Sequence, residues 1–288
     1  MKISTEIYSA ALHVGEEKTI ELLAKAGFDA WDFSMFLMRR FDWQTQSFYA
    51  PKHVLNTDDY LAFARKLKQV GQDNGIPCNQ SHAPFPSLGR DMMPWLKRAI
   101  ECTAEAGGQI CIIHPDNNKG AQENAEMYHA LLEFSKPMGV KIATENMFNW
   151  DSDKDVSAPA ACSSCEDFVA HIDAVNDPFL VACLDIGHAE MTNGAGPGAD
   201  KLVRALGHRL QALHIHDNDG RLDNHQLPFT MTIDYAPIVK AMKDIGYAGY
   251  FTLEADAYLS KFTKENLFEG IQNMAAAAKR LSDMFENA

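Results

Sequence analysis

Apolar runs and amphipathic stretches alternate along the whole chain, which predicts strands and helices in alternation. Several apolar runs are nearly continuous, a pattern that is typical of parallel strands buried on both faces. Eight strands are predicted, at Ile3–Ser9, Phe28–Ser34, Pro77–Ala83, Gln109–His114, Lys141–Asn146, Leu180–Ile186, Leu210–His216 and Tyr250–Ala255.

The segments between the strands carry apolar residues at helical spacing. Helices are predicted over Thr57–Asn74, Ser164–Val175 and Asp234–Ile245, and in a last stretch whose apolar stripe runs from Leu267 to Phe285. Glycines such as Gly107 stand just before several predicted strands. A helix often ends there on a residue that tolerates a positive φ angle, so these glycines favour the same boundaries.

Eight strand–helix units without a break in composition predict an α/β fold, a single (β/α)₈ TIM barrel that spans residues 1–288 as one domain. Long polar loops follow the strands, at Met35–Asn56, Pro84–Asp91, Phe148–Ser163, Ala189–Ala199 and Asp217–Ile233. In such a barrel these loops gather at one end, and that end carries the active site.

Composition narrows the class of protein further. The chain has 26 Lys and Arg against 39 Asp and Glu, a net charge of −13, which disfavours a general nucleic-acid coat. No apolar run approaches the roughly 18 residues that span a bilayer, and the first residues lack a signal-peptide pattern. The six cysteines are scattered through apolar surroundings. We therefore expect a cytoplasmic enzyme with reduced thiols and no membrane association.

Six successive predicted strands end with an acid or a histidine after an apolar run. These side chains are His82, His114, Glu145, Asp185 with His188, His214 with His216, and Glu254. Burying such groups without partners costs several kcal/mol each, so pairing or cation binding is required. Two Glu, one Asp and one His that converge at a barrel mouth suit a divalent metal ion, namely Mn²⁺, Zn²⁺, Co²⁺ or Mg²⁺.

The loop after the seventh predicted strand adds three candidates. Asp223 and His225 form an Asp-x-His pair that could be a second metal half-site or a substrate contact, and Arg221 could meet a phosphate or a carboxylate. The alternative is a plain turn, because Asn218-Asp219-Gly220 is a strong turn signal.

Two motifs carry a family resemblance. They are Leu184-Asp185-Ile186-Gly187-His188-Ala189 and His214-Ile215-His216-Asp217-Asn218-Asp219-Gly220, the latter followed by Asp223-Asn224-His225. With them the whole chain resembles the xylose-isomerase-like TIM-barrel superfamily, and the second motif is similar to the loop of sugar phosphate isomerase/epimerase-type members.

The resemblance to the ketose epimerase branch implies a ligand set and a reaction. One divalent ion would be held by Glu145, Asp185, His214 and Glu254, and His188 would contact the substrate. The implied activity is that of a metal-dependent sugar isomerase or epimerase. Glu145 and Glu254 would transfer a proton through an enediolate, and His188 would hydrogen-bond the reacting oxygen.

The endonuclease IV branch of the same superfamily uses three zinc ions, and its pattern also fits this chain. The matching residues are His82, His114, Glu145, Asp185, His188, His214, Asp223, His225 and Glu254. Arg39 and Arg40 form the only adjacent basic pair near the predicted active face, whereas DNA repair needs several phosphate contacts. A zinc-dependent hydrolase of abasic DNA therefore stays an alternative, as does an inosose-type dehydratase.

The expected partner is a sugar or sugar derivative rather than nucleic acid, and the apolar stripe of the last helix permits a homo-oligomer.

Overall fold

A computed structural model of the chain describes residues 1–87 and 89–288. Its strands are β1 (Ile3–Thr5), β2 (Trp31–Ser34), β3 (Arg40–Asp42), β4 (Ser47–Tyr49), β5 (Cys78–His82), β6 (Ile110–Ile112), β7 (Lys141–Glu145), β8 (Phe148–Asp151), β9 (Val156–Pro159), β10 (Leu180–Asp185), β11 (Leu210–His214) and β12 (Phe251–Leu253). Its α-helices are α1 (Tyr8–Val14), α2 (Glu16–Ala26), α3 (Tyr60–Asp73), α4 (Met93–Ala106), α5 (Ala121–Ser135), α6 (Cys165–Val175), α7 (Ile186–Ala189), α8 (Ala199–Leu206), α9 (Tyr235–Asp244), α10 (Asp256–Leu259) and α11 (Leu267–Asn287).

Parallel pairing closes the strands into a barrel. Six of them form one sheet in the order β2–β5–β6–β7–β10–β11, and β1 pairs with β12. Single parallel bridges join these two sheets, from Glu6 to Asp32 on one side and from Ile215 to Leu253 on the other. The (β/α)₈ barrel predicted from the apolar pattern is therefore confirmed.

The first predicted strand is too long at its carboxyl end. It ends at Thr5, and α1 begins at Tyr8. The reason lies at Glu6, whose carboxylate accepts a hydrogen bond from the backbone N–H of Ser9 at 3.1 Å. This bond satisfies a first-turn donor and starts the helix inside the apolar run.

Two of the predicted long loops contain β-hairpins. The hairpin β3–β4 lies within Met35–Asn56, and the hairpin β8–β9 lies within Phe148–Ser163. Their strands are three or four residues long, too short for an alternating pattern to stand out from a polar loop. Both hairpins contribute side chains to the rim of the barrel mouth.

Side chains on the barrel strands alternate between the helix layer and the barrel interior. In β10, Leu184 packs toward the helices, whereas Cys183 faces the interior. The interior cluster, which we call the barrel floor, consists of Ile112, Ala143, Val181, Cys183 and Ala212. Two residues further along the same strands, the alternation brings Glu145, Asp185 and His214 to the barrel mouth.

Among the described residues, the structure contains no helix that is both long and apolar enough to cross a membrane.

Candidate metal centre and active site

A pocket of about 450 Å³ opens at the barrel mouth, at the carboxyl ends of the strands. We call it the main pocket. Aromatic side chains from the loops and hairpins wall it, and titratable side chains form its base. The aromatic residues are Phe36, Trp43, Phe85, Phe148 and Trp150, and the titratable ones are His82, His114, Glu145, His188, Asp223, His225, Glu254 and Asp256.

Four side chains from β7 to the end of β12 meet below this pocket, and we call them the four-ligand group: Glu145, Asp185, His214 and Glu254. One potential ligand atom from each lies within 4.8 Å of the others. Nδ1 of His214 stands between the two glutamates, 3.1 Å from Oε2 of Glu145 and 3.3 Å from Oε2 of Glu254. The structure therefore brings together the four residues that the resemblance implies.

The local backbone holds these side chains in place. Asp185 ends β10 opposite His214 on β11, in direct register. Asn146 clamps this point, because its side-chain amide donates to the Asp185 carbonyl at 2.9 Å and its oxygen accepts from the Asp185 N–H at 2.8 Å. The Asp185 carboxylate also accepts from the backbone N–H of His188 at 2.7 Å, which starts the short helix α7. One of its oxygens is thus used for capping, and the other points into the site.

Several polar atoms of the four-ligand group are buried without a hydrogen-bond partner. They are Oε2 of Glu145, Oδ2 of Asp185 and Nδ1 of His214. A buried polar atom without a partner costs about 1–3 kcal/mol, and more when the group is charged. These atoms face one another, so a single divalent cation among them would satisfy all three.

The two glutamates differ in proton affinity. Burial alone would raise the pKa of the Glu145 carboxyl, but the imidazoles of His214 and His114 outweigh burial and hold this pKa well below its usual value. At Glu254 burial dominates and raises the pKa of the carboxyl well above its usual range. Two carboxyls whose environments separate their pKa values are suited to opposite roles in proton transfer.

His82 and His114 form a pair on the β5–β6 side of the pocket. Their Nε2 atoms lie 2.9 Å apart, and Nε2 of His114 is 3.6 Å from Oε2 of Glu145. Nδ1 of His82 donates to the Ala83 carbonyl at 2.7 Å, and burial together with the neighbouring imidazoles lowers the pKa of His82 well below its usual value. The Nε2 atom of His82 therefore carries its lone pair toward the site.

A second cluster lies on the other side of the mouth, and we call it the loop group: His188, His216, Asp223 and His225. Asp223 is at its centre, with Oδ2 at 3.0 Å from Nε2 of His225 and at 3.4 Å from Nε2 of His188. Oδ1 of Asp223 faces Nε2 of His216 at 3.3 Å. The structure thus brings the Asp-x-His pair into a cluster of titratable groups, rather than leaving it on a surface turn.

Two histidines of the loop group, His188 and His225, are each oriented by a hydrogen bond to a backbone carbonyl. Nδ1 of His188 donates to Asn146 at 2.8 Å, and Nδ1 of His225 donates to the Glu254 carbonyl at 2.8 Å. Metal-binding imidazoles are oriented in this way by a partner on the second ring nitrogen. Burial would lower the pKa of His188, but Asp185 and Asp223 outweigh burial and raise this pKa to about 10.

Arg221 lies apart from both groups. Its guanidinium pairs with the Asp155 carboxylate, and its Nε donates to the Asp155 carbonyl at 3.0 Å. The guanidinium carbon lies 5.9 Å from the centre of the Trp150 ring. The structure therefore places it on the outer rim, where a hairpin residue already occupies it.

Sequence reasoning assigns no role to three acids or histidines that the structure brings to the site, although it notes His216 at the end of a strand. His216 faces Asp185 at 3.2 Å, and Gly187 makes room for it, since a Cβ at Gly187 would lie 1.8 Å from the His216 ring. Asp32 on β2 lies 3.5 Å from Nε2 of His214, and Asp256 lies 3.2 Å from Nδ1 of His225. The period of two along a strand could have assigned His216 to the site, because it shares a face with His214. An acid inside an apolar strand was the signal at Asp32.

Comparison with known proteins agrees with this fold. The model of the xylose isomerase-like TIM barrel family matches residues 20–283, and the chain belongs to this family. An uncharacterized protein of Methanocaldococcus jannaschii is 23% identical, over 92% of this chain and 89% of that protein.

Solved structures of similar fold cover nearly the whole chain. A D-tagatose 3-epimerase-like protein has 18% identity and a TM-score of 0.72, over 100% of this chain and 98% of that one. The IOLI protein with a bound zinc atom has 19% identity and a TM-score of 0.72, over 100% and 99%. D-allulose 3-epimerase from Methylomonas sp., in complex with D-allulose, has 17% identity and a TM-score of 0.68, over 98% and 96%. At these identities the likeness establishes the shared barrel.

Proposed function

We propose that this protein is a divalent-metal-dependent isomerase or epimerase of a sugar or sugar derivative. The observation that carries the proposal is the position of the His214 Nδ1 atom between the carboxylates of Glu145 and Glu254. Sugar epimerases among the solved structures of similar fold support the substrate class. A main pocket of about 450 Å³ with aromatic walls has the size and lining of a small-molecule site.

The donor set fits a divalent cation. Three unpartnered atoms of Glu145, Asp185 and His214 converge, and Nε2 of His214 lies 3.5 Å from Asp32. That carboxylate can hold the Nε2–H, which leaves the Nδ1 lone pair for a metal ion. The mixture of carboxylate oxygens with one imidazole suits Mn²⁺, Co²⁺, Mg²⁺ or Zn²⁺.

The reaction follows from two carboxylates of unequal proton affinity. When bound, the cation would polarise the substrate carbonyl and acidify the neighbouring C–H bond. Glu145, whose pKa is held low, accepts that proton and leaves the substrate as an enediolate. Glu254, whose pKa is raised, returns a proton at the other face or the adjacent carbon. His188 lines the main pocket and would hydrogen-bond the reacting oxygen through Nε2, because its Nδ1 donates to the Asn146 carbonyl. The aromatic walls would exclude water.

We also propose a role for the remaining clustered side chains. The loop group, together with His82 and His114, is suited either to further cations or to the substrate hydroxyls, since all of these residues except the buried His216 line the main pocket. All six cysteines are unpaired, which is consistent with a cytoplasmic location. The apolar stripe of α11 packs into the core, with Leu267, Met274 and Leu281 buried, so it offers little support for the homo-oligomer that remains a prediction.

One experiment tests the proposal directly. The purified protein is analysed for bound metal and then incubated in deuterium oxide with a panel of ketoses, aldoses and inososes. We expect about one ion per chain, deuterium incorporation next to the carbonyl of one substrate class, and loss of turnover after chelation.

Variants assign the proton transfer. Glu145→Gln and Glu254→Gln should each abolish deuterium incorporation, with metal occupancy measured in parallel because both residues are ligands. Glu101→Gln is the matched control, since this carboxylate lies on α4 and only accepts a hydrogen bond from Tyr60 at 2.7 Å. Exchange that persists in both active-site variants, or full turnover after exhaustive chelation, would exclude the two-carboxylate scheme.

The endonuclease-like alternative is favoured by one observation, namely that three clusters of candidate metal ligands meet at the mouth. Three zinc ions per chain together with cleavage of an abasic duplex would replace the sugar assignment. For the dehydratase alternative, the decisive result is a product that has lost the mass of water.

A further inference from the structure

A second cavity of about 210 Å³ opens beside the main pocket, and we call it the side pocket. Four of its lining residues do not line the main pocket, namely Tyr8, Arg39, Arg40 and Phe41. Its remaining lining residues, Phe36, Trp43, Phe85 and Asp256, also line the main pocket. The two cavities therefore share a wall of four side chains, and one elongated molecule can occupy both.

The side pocket is cationic in an otherwise acidic protein. Across residues 1–87 and 89–288, neither Arg39 nor Arg40 is within ion-pair distance of a carboxylate, although the chain has a net charge of −13. Nε of Arg39 is buried and has no hydrogen-bond partner. Arg40 makes a hydrogen bond with a neutral group, since its Nη1 donates to the Tyr8 hydroxyl at 3.2 Å. Their charges are therefore available to a bound anion.

Packing holds these cations in place without neutralising them. The Arg39 guanidinium lies 5.3 Å from the Trp95 ring centre and 5.7 Å from that of Phe48. Arg40 opens the hairpin β3–β4, where it pairs with Tyr49 in register. A guanidinium that stacks on aromatic rings keeps its planar set of donors free for a phosphate or a carboxylate.

The main pocket is unsuited to an anion by comparison. Glu145, Glu254 and Asp223 line it, and imidazoles there, such as those of His188 and His225, already face the Asp223 carboxylate at 3.4 Å and 3.0 Å. A negative group there would therefore compete with these acids unless it bound a metal cation directly. Asp256 faces both cavities, but its carboxylate is 3.2 Å from Nδ1 of His225, which offsets part of its charge. Among the described residues that line the two cavities, Arg39 and Arg40 therefore offer an anionic group of the substrate its most favourable position.

We propose that the substrate is an anionic sugar, whose phosphate or carboxylate binds Arg39 and Arg40 in the side pocket while its carbonyl end lies in the main pocket. This inference rests on the proposed isomerase or epimerase function, but its anion site can be measured without turnover. On this proposal, the side pocket determines the selectivity of the protein for charged over neutral sugars.

The first arm of the test uses inorganic phosphate and chelator-treated protein, so that phosphate cannot bind through a metal ion. Calorimetric titration compares the wild type with the double variant R39Q/R40Q, with R40Q alone, which changes only an exposed arginine, and with R204Q as the matched control. Arg204 is an exposed arginine on α8 that pairs with Asp244 at 3.0 Å. We expect phosphate binding to weaken about 10- to 100-fold in R39Q/R40Q, partly in R40Q, and not in R204Q.

The second arm uses metal-loaded protein and three matched sugars: D-fructose, D-fructose 6-phosphate and D-fructuronate. We expect the wild type to bind one charged sugar about 10- to 100-fold more tightly than D-fructose, and R39Q/R40Q to lose this preference. The stronger of the two charged sugars identifies the anion as a phosphate or a carboxylate. Circular dichroism of R39Q/R40Q tests whether this variant is folded. R39K keeps the positive charge, so retained preference for the charged sugar in R39K attributes the loss in R39Q/R40Q to the anion site and not to folding.

The outcomes separate this inference from the proposed function. Equal affinity for all three sugars in the wild type, or phosphate binding that is unchanged in R39Q/R40Q, would overturn the anion site even if sugar turnover is found. Arginine-dependent phosphate binding without binding of any sugar would retain the anion site and overturn the sugar assignment.

Discussion

The barrel floor and the barrel mouth lie two residues apart on the same four strands, yet they do opposite things. The successive interior residues are Ile112 and His114, Ala143 and Glu145, Cys183 and Asp185, and Ala212 and His214. The floor residues are apolar and packed together, so they stabilise the fold. The mouth residues are buried acids and imidazoles, and Glu145, Asp185 and His214 among them carry unpartnered atoms, so they cost stability and create a candidate cation site. The comparison shows that tightly packed apolar residues can stabilise the fold enough to tolerate destabilising buried acids and histidines directly above them.

The sharpest way to break this comparison is to remove a charge from the mouth without changing its shape. Asp185→Asn keeps an acceptor for the His188 N–H but loses a ligand charge. We expect metal affinity to fall by more than about 100-fold, beyond the effect of a typical outer partner, while the folded structure persists. Elemental analysis and metal titration measure the loss, and the wild type and Glu101→Gln are the references. Unchanged metal affinity would show that Asp185 is not a ligand.

The reverse experiment removes packing from the floor. Ile112→Ala deletes a fully buried side chain next to Ala143 and should lower the free energy of unfolding by about 2–5 kcal/mol. Metal affinity should stay within a few-fold of the wild type, because no ligand changes. Urea unfolding and metal titration are the two measurements, and Ile112→Val provides a milder step of about 0.5–1.5 kcal/mol. A floor variant that lost its metal and kept its stability would invert the comparison.

A third prediction concerns Glu6, a buried acid at the end of β1. Burial, with the Asp256 charge, raises the pKa of Glu6 from 4.5 to about 7. The folded state therefore retains a proton that the unfolded state loses between these values, and the contribution of Glu6 to stability falls as the pH rises through that window. A glutamine at this position does not titrate. The free energy of unfolding of Glu6→Gln minus that of the wild type should therefore be about 3 kcal/mol larger at pH 8 than at pH 4.

Unfolding of both proteins at pH 4, 5, 6, 7 and 8 in the presence of chelator measures the effect of Glu6. A difference between Glu6→Gln and the wild type that stays constant over this range would contradict the raised pKa.

The smallest expected effect sharpens the boundary between floor and mouth. Asp32 lies below His214 and holds its orientation, with Nε2 of Gln80 donating to the Asp32 carboxylate at 2.9 Å. Asp32→Asn should weaken metal binding by about 10- to 100-fold, less than Asp185→Asn. Metal titration measures this, and Asp32→Glu tests whether a carboxylate alone restores affinity. Equal losses in Asp32→Asn and Asp185→Asn would place Asp32 among the ligands themselves.

The predictable part of this molecule depends on short-range patterns. Apolar runs located all eight barrel strands. Ser164, where one of the predicted helices begins, is the N-cap of α6, and its hydroxyl accepts from the Asp167 N–H at 3.1 Å. The position of acids and histidines at strand ends was equally visible, because a barrel sends all those ends to one face. The first predicted strand is too long because the apolar pattern gives no sign of the hydrogen bond from the Ser9 N–H to the Glu6 carboxylate.

Side chains that are far apart in sequence were beyond this reasoning. Asp32 and His214 meet at 3.5 Å, although they are 182 positions apart in the chain, because closure of the barrel brings β2 and β11, the two edges of the six-stranded sheet, toward each other. Arg221 could be expected to face the site, but the hairpin β8–β9 presents Asp155 to it instead.

The sequence by itself determined the barrel, the end that carries the chemistry and the acids and histidines found there. These features depend on apolar runs in strands and on the apolar faces of helices, which are local properties of the chain. Only the tertiary structure decided which of these groups touch, how His216 and Asp32 join them, and that Arg39 and Arg40 line a cavity beside them. Closure of the barrel sets those contacts, because it brings together residues that no local pattern relates.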